Sequence, residues 1–292
     1  MFSKNRVLIV IIIIVILISS YYLGGVKMVK RLIGYNVPDF NEPEVSVLPG
    51  KSNLPFLNIS DGFEIDIFAE NLEDPRVIAF DPAGNMLVSE TKAGRVVMLK
   101  DSNGDGKSDQ KTVILDGLRS PHGLDFYTDP KTKTTYLYIA ETNQVARFPY
   151  NVKTGQVTSR NGKNIVSLPP DGEHFTRTIA FGPNYRQAPI IGGFKEGQTL
   201  SSDKLYVSVG SSCDVCVEDS WKRAAILESD QGGSYTAEFA GGLRNSVFFT
   251  FHPKTKEIWA TEMGRDNLGD NLPPDEINII KVAGPEDQFG AK

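Results

Sequence analysis

The 292-residue sequence predicts an all-β fold, a β-propeller, with an apolar helix ahead of it. Three observations lead there. A phrase of strand, tight turn and strand recurs four times: Arg76-Val-Ile-Ala-Phe80-Asp-Pro before MLVSE, His122-Gly-Leu-Asp-Phe126 before YLYIAE, Arg177-Thr-Ile-Ala-Phe181-Gly-Pro before KLYVSVG, and Val247-Phe-Phe-Thr-Phe251-His-Pro before EIWATE. A third strand such as RVVMLK or QVARFPY usually follows. The marker residues Phe80, Phe126, Phe181 and Phe251 stand 46, 55 and 70 residues apart, so the period stretches as loops grow. Four-stranded antiparallel sheets repeated at this spacing are propeller blades. A β-sandwich is the runner-up, but it does not explain why one phrase returns four times.

Residues 1–25 form the first element. Val7 to Leu23 is uncharged and apolar, and Lys4 and Arg6 precede it. At ~1.5 Å per residue it covers roughly 25 Å, close to the thickness of a hydrocarbon core. No small-x-small site precedes Lys27, Lys30 and Arg31, so the segment reads as an uncleaved membrane anchor rather than a signal peptide. The main domain is expected on the periplasmic or extracellular side. Residues 26–60 contain Pro38, Pro43, Pro49 and Pro55 and little periodicity, and read as an extended linker. From residue 61 to 292 the pattern is that of the propeller, starting with the alternation FEIDIFA at Phe63.

Composition excludes several functions. A formal charge of −5 and a pI near 5.4 leave no basic footprint for nucleic acid. Three histidines and two cysteines cannot supply a zinc-finger array or a disulfide scaffold.

In a propeller the innermost strands line a channel, and ligands bind where those strands and the loops before them open. Arg76, His122 and Arg177 stand four residues before their marker phenylalanine; His174 and Arg244 stand seven before theirs. Ring closure would gather these cations and imidazoles into a mouth suited to an anionic or polyhydroxylated ligand. Arg76 and Arg177 could instead pair with blade carboxylates. His252, in a Pro-bounded setting, reads as a turn residue. His174, in the aperiodic loop PPDGEHFTR, is the candidate general base or ligand contact.

Asp101, Asn103, Asp105 and Asp109 have the oxygen spacing of a calcium loop. Thr112 stands where a bidentate Glu belongs, so the reading is a weak second calcium site or a plain polar hairpin tip. Cys213 and Cys216 lack the partners for zinc and the βαβ setting of a redox site, which leaves a short structural disulfide.

The phrases GEHFTRTIAFGPN, KLYVSVGSSCDVC, RAAILESD, GLRNSVFFTFHP and EIWATEMGRDNLGDNLPPDEINII together resemble the glucose/sorbosone dehydrogenases that use pyrroloquinoline quinone, nearest the L-sorbosone dehydrogenase-like branch. The resemblance runs from about Gly62 to Val282. It implies a six-bladed propeller that oxidises a sugar or related alcohol or aldehyde, with hydride passing to the quinone. It implies that His174 takes the substrate hydroxyl proton, that Arg244 and Asn245 contact the quinone oxygens, and that backbone carbonyls of the Gly264-Arg265 turn hold calcium. His122 and Arg177 fall near cofactor-contacting positions. A membrane quinone or cytochrome would accept the electrons. Four blade phrases stand where the resemblance implies six, and the absent ones carry basic residues for the cofactor's carboxylates. The expectation is therefore a piece of a longer protein, or a chain that closes its ring by dimerising. A calcium-dependent lactonase-type hydrolase and a non-catalytic envelope binding module are the alternatives, and fold alone does not separate them.

Overall fold

A computed structural model of the chain describes residues 51–52, 56–57, 59–60, 62–185, 203–269 and 271–280. The expected anchor, most of the linker, Asp270 and residues 281–292 lie outside the described residues. Among the described residues there is no α-helix, and no helix is long and apolar enough to cross a membrane. The chain divides into two compact units at Asp66/Ile67. In the first, β1 (Lys51–Ser52) pairs in parallel with β2 (Glu64–Ile65).

The second unit is a propeller-like array of four antiparallel blades, each holding one of the repeated phrases. Blade 1 is β3 (Pro75–Phe80), β4 (Met86–Glu90), β5 (Arg95–Lys100) and β6 (Gln110–Leu115), paired in that order. Blade 2 is β7 (Leu124–Thr128), β8 (Thr135–Glu141) and β9 (Gln144–Asn151), with β10 (Gln156–Val157) and β11 (Lys163–Ser167) both on β9. Blade 3 is β12 (Ile179–Gly182), β13 (Lys204–Val209), β14 (Ala225–Asp230) and β15 (Thr236–Gly241). Blade 4 is β16 (Phe249–Phe251), β17 (Ile258–Glu262) and β18 (Glu276–Ile280).

The core consists of seams between blades. Leu87, Val96 and Met98 of blade 1 meet Leu137, Ile139 and Phe148 of blade 2. Tyr138 and Val145 of blade 2 meet Leu205, Val207 and Leu227 of blade 3. Tyr206 and Ile226 of blade 3 meet Phe249, Ile258 and Ala260 of blade 4. Strand alternation explains this, since successive side chains serve opposite neighbours.

Three of the marker phenylalanines, Phe126, Phe181 and Phe251, belong to these seams. Phe181 reaches back to Tyr127 and Tyr138, at centroid distances of 4.9 and 4.8 Å. Phe251 reaches back to Tyr206 and lies so close to Gly182 that a Cβ there would stand 2.0 Å from its ring. Phe80, in the first blade, is 60% exposed. At the other end, β18 turns Ile277 and Ile279 outward beside Trp259, and the three are 71%, 42% and 38% exposed.

Candidate functional site

A second repeated device sits at the blade entrances. The residue paired with each marker phenylalanine is Met86, Leu137, Leu205 or Ile258. Four positions further along stand Glu90, Glu141, Val209 and Glu262. The glutamates are inward-turned carboxylates that receive the amide of the loop entering the blade: Glu90 from Glu73 N (2.8 Å), Glu141 from Arg119 N (2.6 Å) and Glu262 from Asn245 N (2.6 Å). Such bonds satisfy buried backbone donors in loops that lack a ladder. Blade 3 has Val209 instead. His174 occupies the entrance position there, seven residues before Phe181.

The loop of His174 is held differently, by buried cations that donate to carbonyls. Arg177 is fully buried, and it donates through Nη1 to His174 O (2.7 Å) and Thr176 O (2.8 Å) and through Nη2 to Pro169 O (3.2 Å). Arg223 donates to Asp171 Oδ1 at 2.5 Å, and Glu173 N donates to Ser212 O at 2.9 Å. Among the described residues Arg177 therefore donates to carbonyls and to no carboxylate, and with no exposed surface it does not present itself to a ligand. This corrects its expected role as a cofactor contact: its head groups are committed to the backbone that carries His174. Burial, aided by the Arg223 charge, lowers its pKa to about 10.

The His174 ring is oriented by blade 3. Its Nδ1 lies 3.1 Å from Ser211 O and 2.9 Å from Ser211 Oγ. The carbonyl can only accept, and Ser211 Oγ already donates to Cys213 O (2.7 Å), so Nδ1 must carry the proton. Nε2 of the neutral ring is then the basic nitrogen. Gly210 brings the neighbour in: a Cβ there would sit 2.6 Å from both His174 Cβ and Asn245 Oδ1. His174 and Asn245, 71 residues apart in sequence, thus flank one glycine.

Arg244 lies beside Asn245. Its Nε donates to Asp214 O (2.9 Å), and its Nη2 to Asp214 Oδ1 (2.6 Å) and Asp266 Oδ2 (3.0 Å). Its Nη1 makes one long contact, 3.4 Å to Met263 O, which leaves this edge of the guanidinium the least committed. Asp214 also accepts from Asp266 N (2.9 Å) and faces Arg265 Nε (3.5 Å). The Asp266 amide, together with Arg244, holds the Asp214 carboxyl below the usual carboxylate range.

His122 is buried outright rather than offered at a surface. Its Nδ1 is 3.2 Å from Arg177 O, its Nε2 has no hydrogen-bond partner among the described residues, and its ring lies 5.5 Å from that of Phe248. Burial pushes its pKa down to about 4, assisted by the charges of Arg76 and Arg177. His252 is a turn residue, accepting from Thr255 N at Nδ1 (3.0 Å).

The Gly264-Arg265 turn closes against other backbone oxygens. A Cβ on Gly264 would stand 2.8 Å from Pro273 O and 3.2 Å from Pro274 O, and Gly264 N donates to Asp275 Oδ1 (2.8 Å). Hard oxygen donors crowded at a side-chain-free turn suit calcium chemically. At the second, weaker candidate the side chains cap the loop's own backbone and one another, Asn103 reaching Asp105 Oδ2 (3.1 Å) and Asp109 Oδ1 (3.4 Å). Asp101 accepts from Gly104, Asp105 and Gly106 amides, Asp105 from Lys107, and Asp109 from Ser102. Among the described residues, Asp101, Asp105 and Asp109 are not gathered into a three-ligand group. Cys213 and Cys216 are joined in a disulfide, with Cα atoms 6.1 Å apart.

The fold and site define a class: a propeller-like all-β fold whose third and fourth blades bring an imidazole, an amide and a guanidinium to one place. Within that class, the chain belongs to the TrAA12-like family, whose model matches residues 57–286. It is 30% identical over 225 residues to an uncharacterized protein of Borreliella burgdorferi, covering 77% of this chain and 54% of that one. It is 26% identical over 238 residues to the pyrroloquinoline quinone-dependent sugar dehydrogenase of Hypocrea jecorina, covering 77% and 53%. It superposes with a TM-score of 0.61 on the iodide structure of the Trichoderma reesei family AA12 enzyme, at 23% identity and 77% and 56% coverage. The chain thus spans about half the length of the curated relatives it matches.

Proposed function

We propose that this chain carries the catalytic half-site of a quinoprotein sugar dehydrogenase, one that oxidises a sugar, polyol or aldehyde hydrate with pyrroloquinoline quinone and calcium. The observation that carries the reading is the His174 ring held with Nδ1 protonated on Ser211, one glycine away from Asn245. The donor set fits such a cofactor. Gly210 lets base and amide close in on one backbone position, Arg244 keeps Nη1 least committed, and the backbone oxygens of Pro273 and Pro274 beside Gly264 offer ligands for a divalent cation.

Bound there, pyrroloquinoline quinone would supply a hydride acceptor and calcium a Lewis acid beside it. The chain's residues supply the rest. His174 Nε2 takes the substrate hydroxyl proton, and its ring is kept in register by Ser211. Arg244 Nη1 and the Asn245 side chain would hold the quinone and offset charge developing on it, and being held in advance they would need little reorganisation. Carbonyl oxygens around Gly264 and Arg265 would hold the cation. Arg177 acts through the backbone by fixing the loop of His174. Residues 7–23 anchor the protein in a membrane with this domain outside the cytoplasm, and electrons leave to a quinone or cytochrome.

Titration of the chain with pyrroloquinoline quinone and calcium tests the proposal, following cofactor absorbance and dye reduction with an aldose or sorbosone. Saturable uptake is expected, and His174→Ala should keep it within a few-fold while abolishing turnover. A folded chain that takes up no cofactor would reject the reading and leave a binding module.

A further inference from the structure

The segment Ser211–Glu218 touches both halves of the site, and the Cys213–Cys216 bridge closes it. On one side, Ser211 Oγ is fixed by Cys213 O inside the bridged ring and in turn receives His174 Nδ1. On the other, Asp214, within the ring, accepts Arg244 through its backbone oxygen and its carboxylate, and also reaches Asp266 N and Arg265. Ser212 N donates to Glu218 Oε1 (2.6 Å), closing the segment at its far end. One small loop therefore sets the tautomer of the imidazole and the placement of the guanidinium together. The ring has a sequence separation of 3, so it constrains the unfolded chain little and its effect is local. Cys216 is solvent-exposed, while Cys213 is half-buried.

We infer that this bridge is a reducible clamp: a dithiol reductant attacking Cys216 Sγ releases Ser211 from His174 and Asp214 from Arg244, and lowers cofactor uptake without unfolding the blades. The exchange breaks one S–S bond and leaves two cysteine thiols; the dithiol gives up two electrons and two protons and becomes a disulfide. Ser211 and Asp214 are positioning residues in this scheme. The inference rests on reading His174 and Arg244 as base and cation.

The test uses the whole chain with ¹⁵N-labelled histidine, compared with its bridge intact and after dithiothreitol, with thiols counted. Ring nitrogen signals report the tautomer of His174 directly, and His122 and His252 serve as internal controls. On reduction, His174 is expected to leave the Nδ1–H pattern while the other two keep theirs. The Kd for pyrroloquinoline quinone in calcium should rise about tenfold or more, the loss of one charge-assisted hydrogen bond. Both changes should reverse on reoxidation. An unmoved His174 pattern in a chain with two free thiols overturns the clamp, whatever the cofactor does. General loss of sheet signal on reduction overturns it as well, because the bridge would then hold the domain and not the site. Absence of cofactor uptake by the oxidised chain instead overturns the dehydrogenase reading, and the ring signals still decide the clamp.

Discussion

Replacing Arg177 with methionine separates the two tasks a buried cation can have. The guanidinium is fully buried, meets no carboxylate among the described residues, and donates three hydrogen bonds to carbonyls of Pro169, His174 and Thr176. Taking such a charge out of water costs several kcal/mol, and Arg177→Met removes that cost while nearly keeping the volume. Against it stand up to three carbonyls losing a donor, at ~1–3 kcal/mol each if they stay buried. The terms nearly offset, so urea melts should place Arg177→Met only ~1–3 kcal/mol below the parent. Arg177→Ala adds an unfilled cavity and should fall roughly 2–5 kcal/mol further. The carbonyls can recover partners only if loop 171–177 moves toward water, which carries His174 off Ser211. Arg177→Met should therefore lose the Nδ1–H ring pattern and speed amide exchange across that loop while the blades stay protected. A methionine variant with an unchanged His174 signal would refute the positioning argument, and one as unstable as the alanine variant would refute the energetic one.

Three further outcomes follow from the same geometry. His122 has its pKa depressed from 6.5 to about 4 by burial, so its contribution is complete above ~6.5 and is lost as pH falls toward 4. Asp125, raised to about 6 by burial, works in the opposite sense, gaining stability as pH falls from ~6 toward 4, so comparison with a variant is needed. The stability of the parent relative to His122→Gln should drop ~1.4 kcal/mol per unit between about pH 6.5 and 4, and parallel curves from chemical melts would contradict this. Gly182→Ala places a methyl 2.0 Å from the Phe251 ring and should cost ~1–3 kcal/mol in thermal or urea melts; no loss would mean that the blade 3–4 seam is looser than described. Ile277→Lys, on the outward face of β18, should change stability by no more than ~0.5 kcal/mol while lowering light scattering at high concentration. A melt shifted by several degrees would show that this face is covered.

The blades were legible because their signal is repeated: in the third and fourth phrases the marker phenylalanine, Phe181 or Phe251, reaches back to the preceding blade, so its recurrence records a seam. The candidates His174 and Arg244 stand out in the sequence through their equivalent places seven residues before the markers, and Asn245 only through its place beside Arg244 and the family resemblance. Charge alone misled. Arg177 and His122 look like ligand contacts in a list of cations, yet β-strand burial and backbone carbonyls decide their environment, and neither is visible from residue type. Ser211 and Asp214 were missed because their partners are 37 and 30 residues away. One signal was nevertheless present. Register aligns Glu90, Glu141 and Glu262, the three carboxylates that receive entrance amides, with Val209 in the third blade. Where a repeated structural acid is missing, the entrance must be held by other means. In this chain those means are Arg177, Arg223 and the bridged loop, and they leave an imidazole at a place where the other blades only satisfy their backbones. The exception within the repeat, more than any single charged residue, is what singles out the third blade as the one that carries the candidate base.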